Sequence, residues 1–275
     1  LIAGEPLANG GLGCKVFISN TLHGETDEGL TAASGKRENA NAMERRSTIS
    51  PTSIERHPPR FKFDRHDASP SGRIFNAAVT LCAVHGFQIT VRDITAKADT
   101  NLAAVSYYYE SKENLMRLVV KAAAGPINEM MLGELTAYED FMGDRPLEVA
   151  PIWNALAAPL VHCSIFNSTW DWHIARIYIR ASLKPDSPVS QPVSLSNSAM
   201  IKRFIKALNR ALPKLTEEEI YWRFYLGWGS ILTATRDTYK GHAFRSLSKG
   251  ACDPSDLNAL LKQLVTFLTN ATSSK

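Results

Sequence analysis

Three sets of residues in this 275-residue chain have types and spacings that could do chemistry. His162-Cys163 and Asp171-x-His173 pair groups used as bases, nucleophiles and metal ligands. Residues one or two apart on a helix point in different directions, so neither pair converges on one substrate atom or ion, and both are set aside. The second set is aromatic and cationic. Arg176 and Arg180, four residues apart near Asp171 and His173, share a helix face and could grip a carboxylate or phosphate, although a solvated face accounts for them as well. Around them lie Trp153, Phe166, Trp170, Trp172, Tyr178, Trp222, Phe224, Tyr225 and Trp228. Core packing explains any one of these rings; as a set they suggest an apolar cavity between helices. The expected ligand-binding residues are Trp153, Phe166, Trp170, His173, Arg176, Arg180, Tyr225 and Trp228.

The third set runs from Thr90 to Lys112 and is the most specific. Thr90-Val91-Arg92-Asp93 has the form of a capping box and opens a short helix to about Ala98. Asp99, Thr100 and Asn101 suit a three-residue turn, because Asp and Asn tolerate left-handed backbone and cap the next helix. A second short helix follows, Leu102 to Tyr108, with small residues Ala103, Ala104 and Ser106 on its face. Two short helices at such a turn form a helix-turn-helix, the geometry that lays a recognition helix in the DNA major groove. Of Tyr107, Tyr108 and Tyr109, one should turn inward as an anchor while its neighbours offer hydroxyls to phosphates. Lys112, opening the next helix, adds a charge beside backbone N–H groups that suit a phosphate. The expected DNA-binding residues are Thr90, Arg92, Asn101, Leu102, Ala103, Ala104, Ser106, Tyr107, Tyr108 and Lys112.

These residues need a helical frame. Ser69-Pro70 marks the start of a helix through His85, stopped by Gly86, and Ser111 caps one that runs past Gly125-Pro126. Further helices are expected near 146–166, 170–183, 194–212, 216–238 and 254–270, with Thr216 to Glu219 as a capping box and Asp253-Pro254 as a start. No strand pattern or internal repeat is visible, so the fold class is all-α. The chain divides into a leader or arm over 1–68, read as disordered, a helix-turn-helix domain over 69–121 and a larger helical domain over 122–275. The chain begins with Leu, and Met43 is a candidate for the native start, which leaves open whether residues 1–42 belong to the native protein. The basic cluster Arg56, Arg60, Lys62 and Arg65 reads equally well as a solvated linker or as an arm for the minor groove.

Composition narrows the classes further. A 44% hydrophobic and 21% charged chain builds a globular core, not a collagenous, fully disordered or membrane-spanning structure. Cys14, Cys82, Cys163 and Cys252 lie far apart with no C-x-x-C pair, so neither a zinc framework nor a disulfide scaffold is implied and a cytoplasmic location fits. The first residues lack the basic and apolar runs of a signal peptide. The net charge of +4 is spread thinly, and no large basic field exists. No membrane contact, metal or cofactor is expected.

From Thr90 to Leu115 the residues resemble the DNA-binding domain of the TetR/AcrR transcriptional regulators. Thr90, Arg92, Asp93, Ile94, Ala98, Ala104, Tyr107, Ser111, Lys112, Glu113 and Leu115 fit that family's pattern in type and spacing. Asp99 stands where the family has Gly, Thr100 where it has Val, and Tyr108-Tyr109 where it has His-Phe. The resemblance implies a homodimeric regulator, a repressor by preference, whose C-terminal helical domain binds an inducer. It also implies that the last two long helices, about 216–238 and 254–270, pair with their mates. Ala211 to Ser230 resembles members that sense fatty-acyl or other apolar ligands. The partners so implied are a near-palindromic operator in double-stranded DNA and a small apolar or amphipathic effector. Two other readings compete. One is a lipid- or partner-binding helical protein with a vestigial helix-turn-helix. The other is an all-helical enzyme on an acyl or isoprenoid substrate, for which no converging carboxylates or nucleophile–base pair are visible.

Overall fold

The computed structural model describes residues 64, 66–165, 170–184, 187–236 and 242–274. Residues 1–63 of the expected leader, with Arg56, Arg60 and Lys62, lie outside the described residues, as do Arg65 and Phe166. Ten helices and no strand occur among the described residues: α1 (Pro70–His85), α2 (Val91–Ala98), α3 (Ala103–Tyr109), α4 (Lys112–Met142), α5 (Val149–Ile165), α6 (Trp170–Ser182), α7 (Gln191–Ala211), α8 (Glu217–Arg236), α9 (His242–Leu247) and α10 (Leu257–Ser273).

Local chemistry sets most of the boundaries. Ser69 Oγ accepts the Gly72 N–H at 3.1 Å with Pro70 just inside, and α1 stops at Gly86, whose φ of 82° suits a residue without a Cβ. Thr90 and Asp93 cap α2 reciprocally: the Asp93 N–H donates to Thr90 Oγ1 at 3.1 Å and the Thr90 N–H to Asp93 Oδ2 at 2.8 Å. The turn residue Asp99 is left-handed at φ 51°, the conformation for which a glycine would be the easy choice. Asn101 Oδ1 then accepts the Ala104 N–H at 3.0 Å, and Ser111 Oγ accepts the Asn114 N–H at 3.1 Å to open α4.

One boundary and one helix differ from expectation. Asp253 does not cap the last helix: its carboxylate accepts the Ser255 N–H at 3.0 Å in a turn, and Asp256 caps α10 through the Asn258 and Ala259 N–H groups at 3.0 and 3.1 Å. Both Asp residues can turn and cap, and the later one stands directly before the apolar stripe. The short helix α9 was not anticipated.

Helix α4 continues for 31 residues through Pro126 and supports both ends of the fold. Its start packs on α1 and α3, and its length on α5, α6 and α7. Glu139 of α4 pairs with Arg203 at 2.7 Å and Arg210 at 3.2 Å, tying it to α7. Helix α5 lies between α4 and α10, and α1 packs on α2 and on α6. Trp153, Tyr178, Phe204, Ile127, Met131 and Leu135 are fully buried, each stabilising by roughly 1.5–3 kcal/mol relative to exposure. Among the described residues no helix is long and apolar enough to cross a membrane.

Candidate nucleic-acid interface and sensor core

The three tyrosines of α3 separate by direction. Tyr109 is buried and donates its hydroxyl to the Ser71 carbonyl at 2.8 Å, while Tyr107 is 81% and Tyr108 42% exposed, their rings edge to face at 4.8 Å. Burial pushes the Tyr109 hydroxyl up to about 12, with the Asp67 charge adding to it, so it stays a proton donor. Asn101, Leu102, Ala103 and Ser106 are exposed, Ala104 is half-buried, and Val105 is buried beneath them, so α3 presents one outer face. Thr90 and Arg92 are exposed at the start of α2, and Lys112 is half-buried in the first turn of α4. A surface hollow runs along this face between Pro70, Arg73, Asn101, Ala104 and Tyr107.

Arg73 belongs to this unit, and the sequence reading gave it no role. Its guanidinium donates to the carbonyls of Ala98 at 3.1 Å, Asp99 at 3.4 Å and Ala68 at 3.3 Å, fixing the turn of the helix-turn-helix against the start of α1. With Tyr109 it ties both ends of the α2–α3 unit to one helix. At the outer edge, hydrogen bonds from the Thr90 backbone and then its side chain hold the Asp93 carboxyl below its ordinary value, so the cap stays ionised.

The residues expected to bind a ligand do not converge. Trp153 is fully buried, donates Nε1–H to Thr272 Oγ1 at 3.0 Å, and stacks on Phe224 at 5.9 Å. Tyr225 lies on the outside of α8, 68% exposed, edge to face with Trp222 at 6.2 Å. Trp228 meets the edge of Tyr178 at 6.3 Å. Trp170 and Trp172 flank His173, at 6.5 and 5.2 Å between ring centroids. Arg176 and Arg180 point at α1: Arg176 Nε donates to the Ala83 carbonyl at 3.1 Å, and Arg180 to the carbonyls of Cys82 at 2.6 Å and Val84 at 3.2 Å. The two arginines thus occupy the junction between α6 and α1, because the carboxyl end of a helix offers carbonyls with acceptor capacity to spare at its negative pole, that of Cys82 also accepting the Gly86 N–H at 2.9 Å.

Inside the bundle lies a polar cluster that the sequence reading missed. The Tyr178 hydroxyl is 2.8 Å from Asn128 Oδ1 and 2.9 Å from Asn197 Oδ1, and Asn128 Nδ2 donates to Asn197 Oδ1 at 3.1 Å and Ser196 Oγ at 2.8 Å. It joins α4, α6 and α7. The signal was present: Ala124, Asn128, Met131 and Leu135 form one helical stripe, as do Val193, Asn197, Met200 and Phe204, with an asparagine at a core position in each. Among the described residues no group of three or more His, Cys, Asp or Glu stands ready to hold a metal ion.

Two family descriptions match this chain. Residues 74–119 match the bacterial regulatory proteins of the tetR family, and residues 154–271 match the tetracyclin repressor-like C-terminal domain. Together they span more than half of the sequence. No curated protein matches it. Similar solved structures include a tetR family transcription regulator from Shewanella sp. PV-4 (17% identity, TM-score 0.46, covering 70% of this chain and 96% of that one). Another is a transcriptional regulator from Pseudomonas aeruginosa PAO1 (13%, 0.48, covering 72% and 89%). A third is the transcriptional regulator FadR from Bacillus subtilis in complex with stearoyl-CoA (16%, 0.42, covering 70% and 97%). With a helix-turn-helix matched over α1 to α4 and the C-terminal domain matched over α5 to α10, the chain belongs to the TetR family and is a ligand-responsive, DNA-binding transcriptional regulator rather than an enzyme.

Proposed function

We propose that this regulator is a repressor that holds a near-palindromic operator as a homodimer and releases it when a small apolar or amphipathic effector enters the helical domain. Residues 69–121 act as the reading head and 122–275 as the sensor and dimerisation domain, working in the cytoplasm. Helix α3 enters the major groove, with Asn101, Leu102, Ala103, Ala104 and Ser106 at the base edges. Thr90, Arg92, Tyr107, Tyr108 and Lys112 hold the flanking phosphates.

The observation that carries the dimer is an apolar face. Tyr221, Trp222, Tyr225 and Leu226 on α8 are 47%, 59%, 68% and 63% exposed, and Phe267 on α10, a helix that packs on α8, is 60% exposed. Exposed rings gathered on one helix in this way mark an interaction surface. Two such faces related by a two-fold axis would set two reading heads on one side of a duplex, with half-sites about one helical turn or more apart. Tyr178, buried beside Trp228 with Asn128 and Asn197, gives the interior a polar point against which the head of an amphipathic effector would be read.

The test is selection of duplexes from a random pool by the full-length chain, followed by gel shifts and sedimentation. Recovery of an inverted repeat bound by a dimer is expected. Recovery of a single half-site bound by a monomer would remove the dimer, and enrichment of no sequence would remove operator recognition.

A further inference from the structure

Helix α1 ends against protein. The last four carbonyls of a helix have no partner within it, and three of those in α1 accept from α6: Cys82 and Val84 from Arg180, at 2.6 and 3.2 Å, and Ala83 from Arg176, at 3.1 Å. Two cations thus meet the negative pole of α1. The Arg176 guanidinium also lies over the Trp172 ring, 4.8 Å from its centroid. Gly86 follows with φ 82°, and the heavy atom nearest to a Cβ built there is Arg180 Nη1, at 3.6 Å.

The same short helix holds the sensor interior by another face. Tyr178 lies two residues from each arginine, a spacing that turns it away from them, and its hydroxyl sits between Asn128 of α4 and Asn197 of α7. Helix α6 is therefore hydrogen-bonded to the core polar cluster on one face and to the end of α1 on another. From α1, Arg73 and the Ser71 carbonyl reach the turn of the helix-turn-helix and Tyr109 of α3. The linkage from the sensor interior to the reading helix is continuous.

We propose that Arg176 and Arg180 are positioning residues that latch the carboxyl end of α1 onto α6, fixing the angle at which the reading head hangs from the sensor. The proposal rests on the dimer reading above. Its consequence is specific: the latch sets the distance between the two heads of a dimer, while each head reads its half-site without it.

The probe is the duplex selected by the wild-type chain, together with versions in which the half-sites are moved apart or together by one and two base pairs. Wild type should discriminate against the altered spacings by about tenfold or more, as half-site spacing is a geometric property of a dimer. Arg176→Gln with Arg180→Gln should keep dimerisation and single-half-site affinity but bind all spacings within about threefold of one another. The double Lys variant retains both charges but loses the planar fork, and should lie between them. Hydrogen exchange of the Gly86 amide, bonded to the Cys82 carbonyl, should quicken in the Gln variants while α10 stays protected. If the double variant loses its helical signal, the single Gln variants and the Lys pair are read in its place, each expected to relax spacing. Unchanged spacing discrimination in folded variants overturns the latch, as does a wild-type dimer indifferent to spacing. A wild type that selects no duplex overturns the operator reading instead.

Discussion

Tyr107 and Tyr109 stand two residues apart on α3 and face opposite ways, one 81% exposed and the other bonded to the Ser71 carbonyl, so changes at them separate affinity from stability. Tyr109→Phe removes one hydrogen bond from a buried site and should lower unfolding stability by about 1 kcal/mol, read by denaturant melting. Tyr107→Ala should leave that stability within about 0.5 kcal/mol and weaken operator binding by about tenfold. Gly227 is a different case, because alanine normally favours a helix over glycine. Here a Cβ would lie 2.5 Å from Trp153 Cη2, and Trp153 is fixed by Thr272 and Phe224. Gly227→Ala should therefore cost about 1–3 kcal/mol as overpacking, against the roughly 0.5–1 kcal/mol that helix propensity would return. His173 supplies a pH dependence. Burial, and then the Lys97 charge, hold it below its ordinary 6.5, and burial does the same to His162. A depressed folded-state value means stability fully present above about 6.5 and lost as pH falls through the folded-state values. Melting temperature should fall on acidification from pH 7.5 to 5, and His173→Gln should flatten the fall; an unaltered slope would remove His173 from the account.

The short helices depend on their caps more than on their length. An eight-residue helix such as α2 is too short to hold itself together. Thr90 and Asp93 close its first turn, Asp99 turns the chain left-handed, and Arg73 clamps the turn from outside. Thr90→Ala should cost about 0.5–2 kcal/mol and should show itself first as faster hydrogen exchange in α2 and α3, not in α8 or α10. This stretch was the most legible part of the sequence, since caps, turn residues and Ser111 act on neighbours three residues away. The places where sequence reading failed are those where partners are distant. Arg176 and Arg180 look like a cationic helix face until α1, more than 90 residues earlier in the chain, is seen to end against them. Tyr225 of α8 and Trp153 of α5 carry the same aromatic signal, yet one lies outside the bundle and the other within it, because the packing of α8 on α5, α6, α7 and α10 decides which faces are covered. Asp253 and Asp256 show a smaller ambiguity of the same kind: either can cap, and the start of the apolar stripe selects the second.

A net charge of +4 spread over the whole chain leaves the reading face with few cations. Of the basic residues near it, Arg73 is committed to three backbone carbonyls and Lys97 of α2 lies within reach of His173 of α6, which leaves Arg92 at the start of α2 and Lys112 at the start of α4 as the charged candidates for phosphate. A dimer then brings about four cations to the duplex, and since each neutralised phosphate contributes about −0.9 to the slope of log affinity against log salt, the slope should be near −4. Most of the contact would come from tyrosine and serine hydroxyls, the asparagine amide and the amides at the start of α4, none of which releases counterions. In the proposed dimer, affinity would accordingly depend on having two heads on one duplex, which would link this shallow slope to the aromatic face of α8. Trp222→Glu, placing a charge among Tyr221, Tyr225 and Leu226, should yield a monomer with an intact helical signal and a slope near −2, since one head brings about half as many cations. Titrations of wild type and variant from 50 to 300 mM salt check both values. A wild-type slope near −10 would mean that cations other than Arg92 and Lys112 reach the DNA.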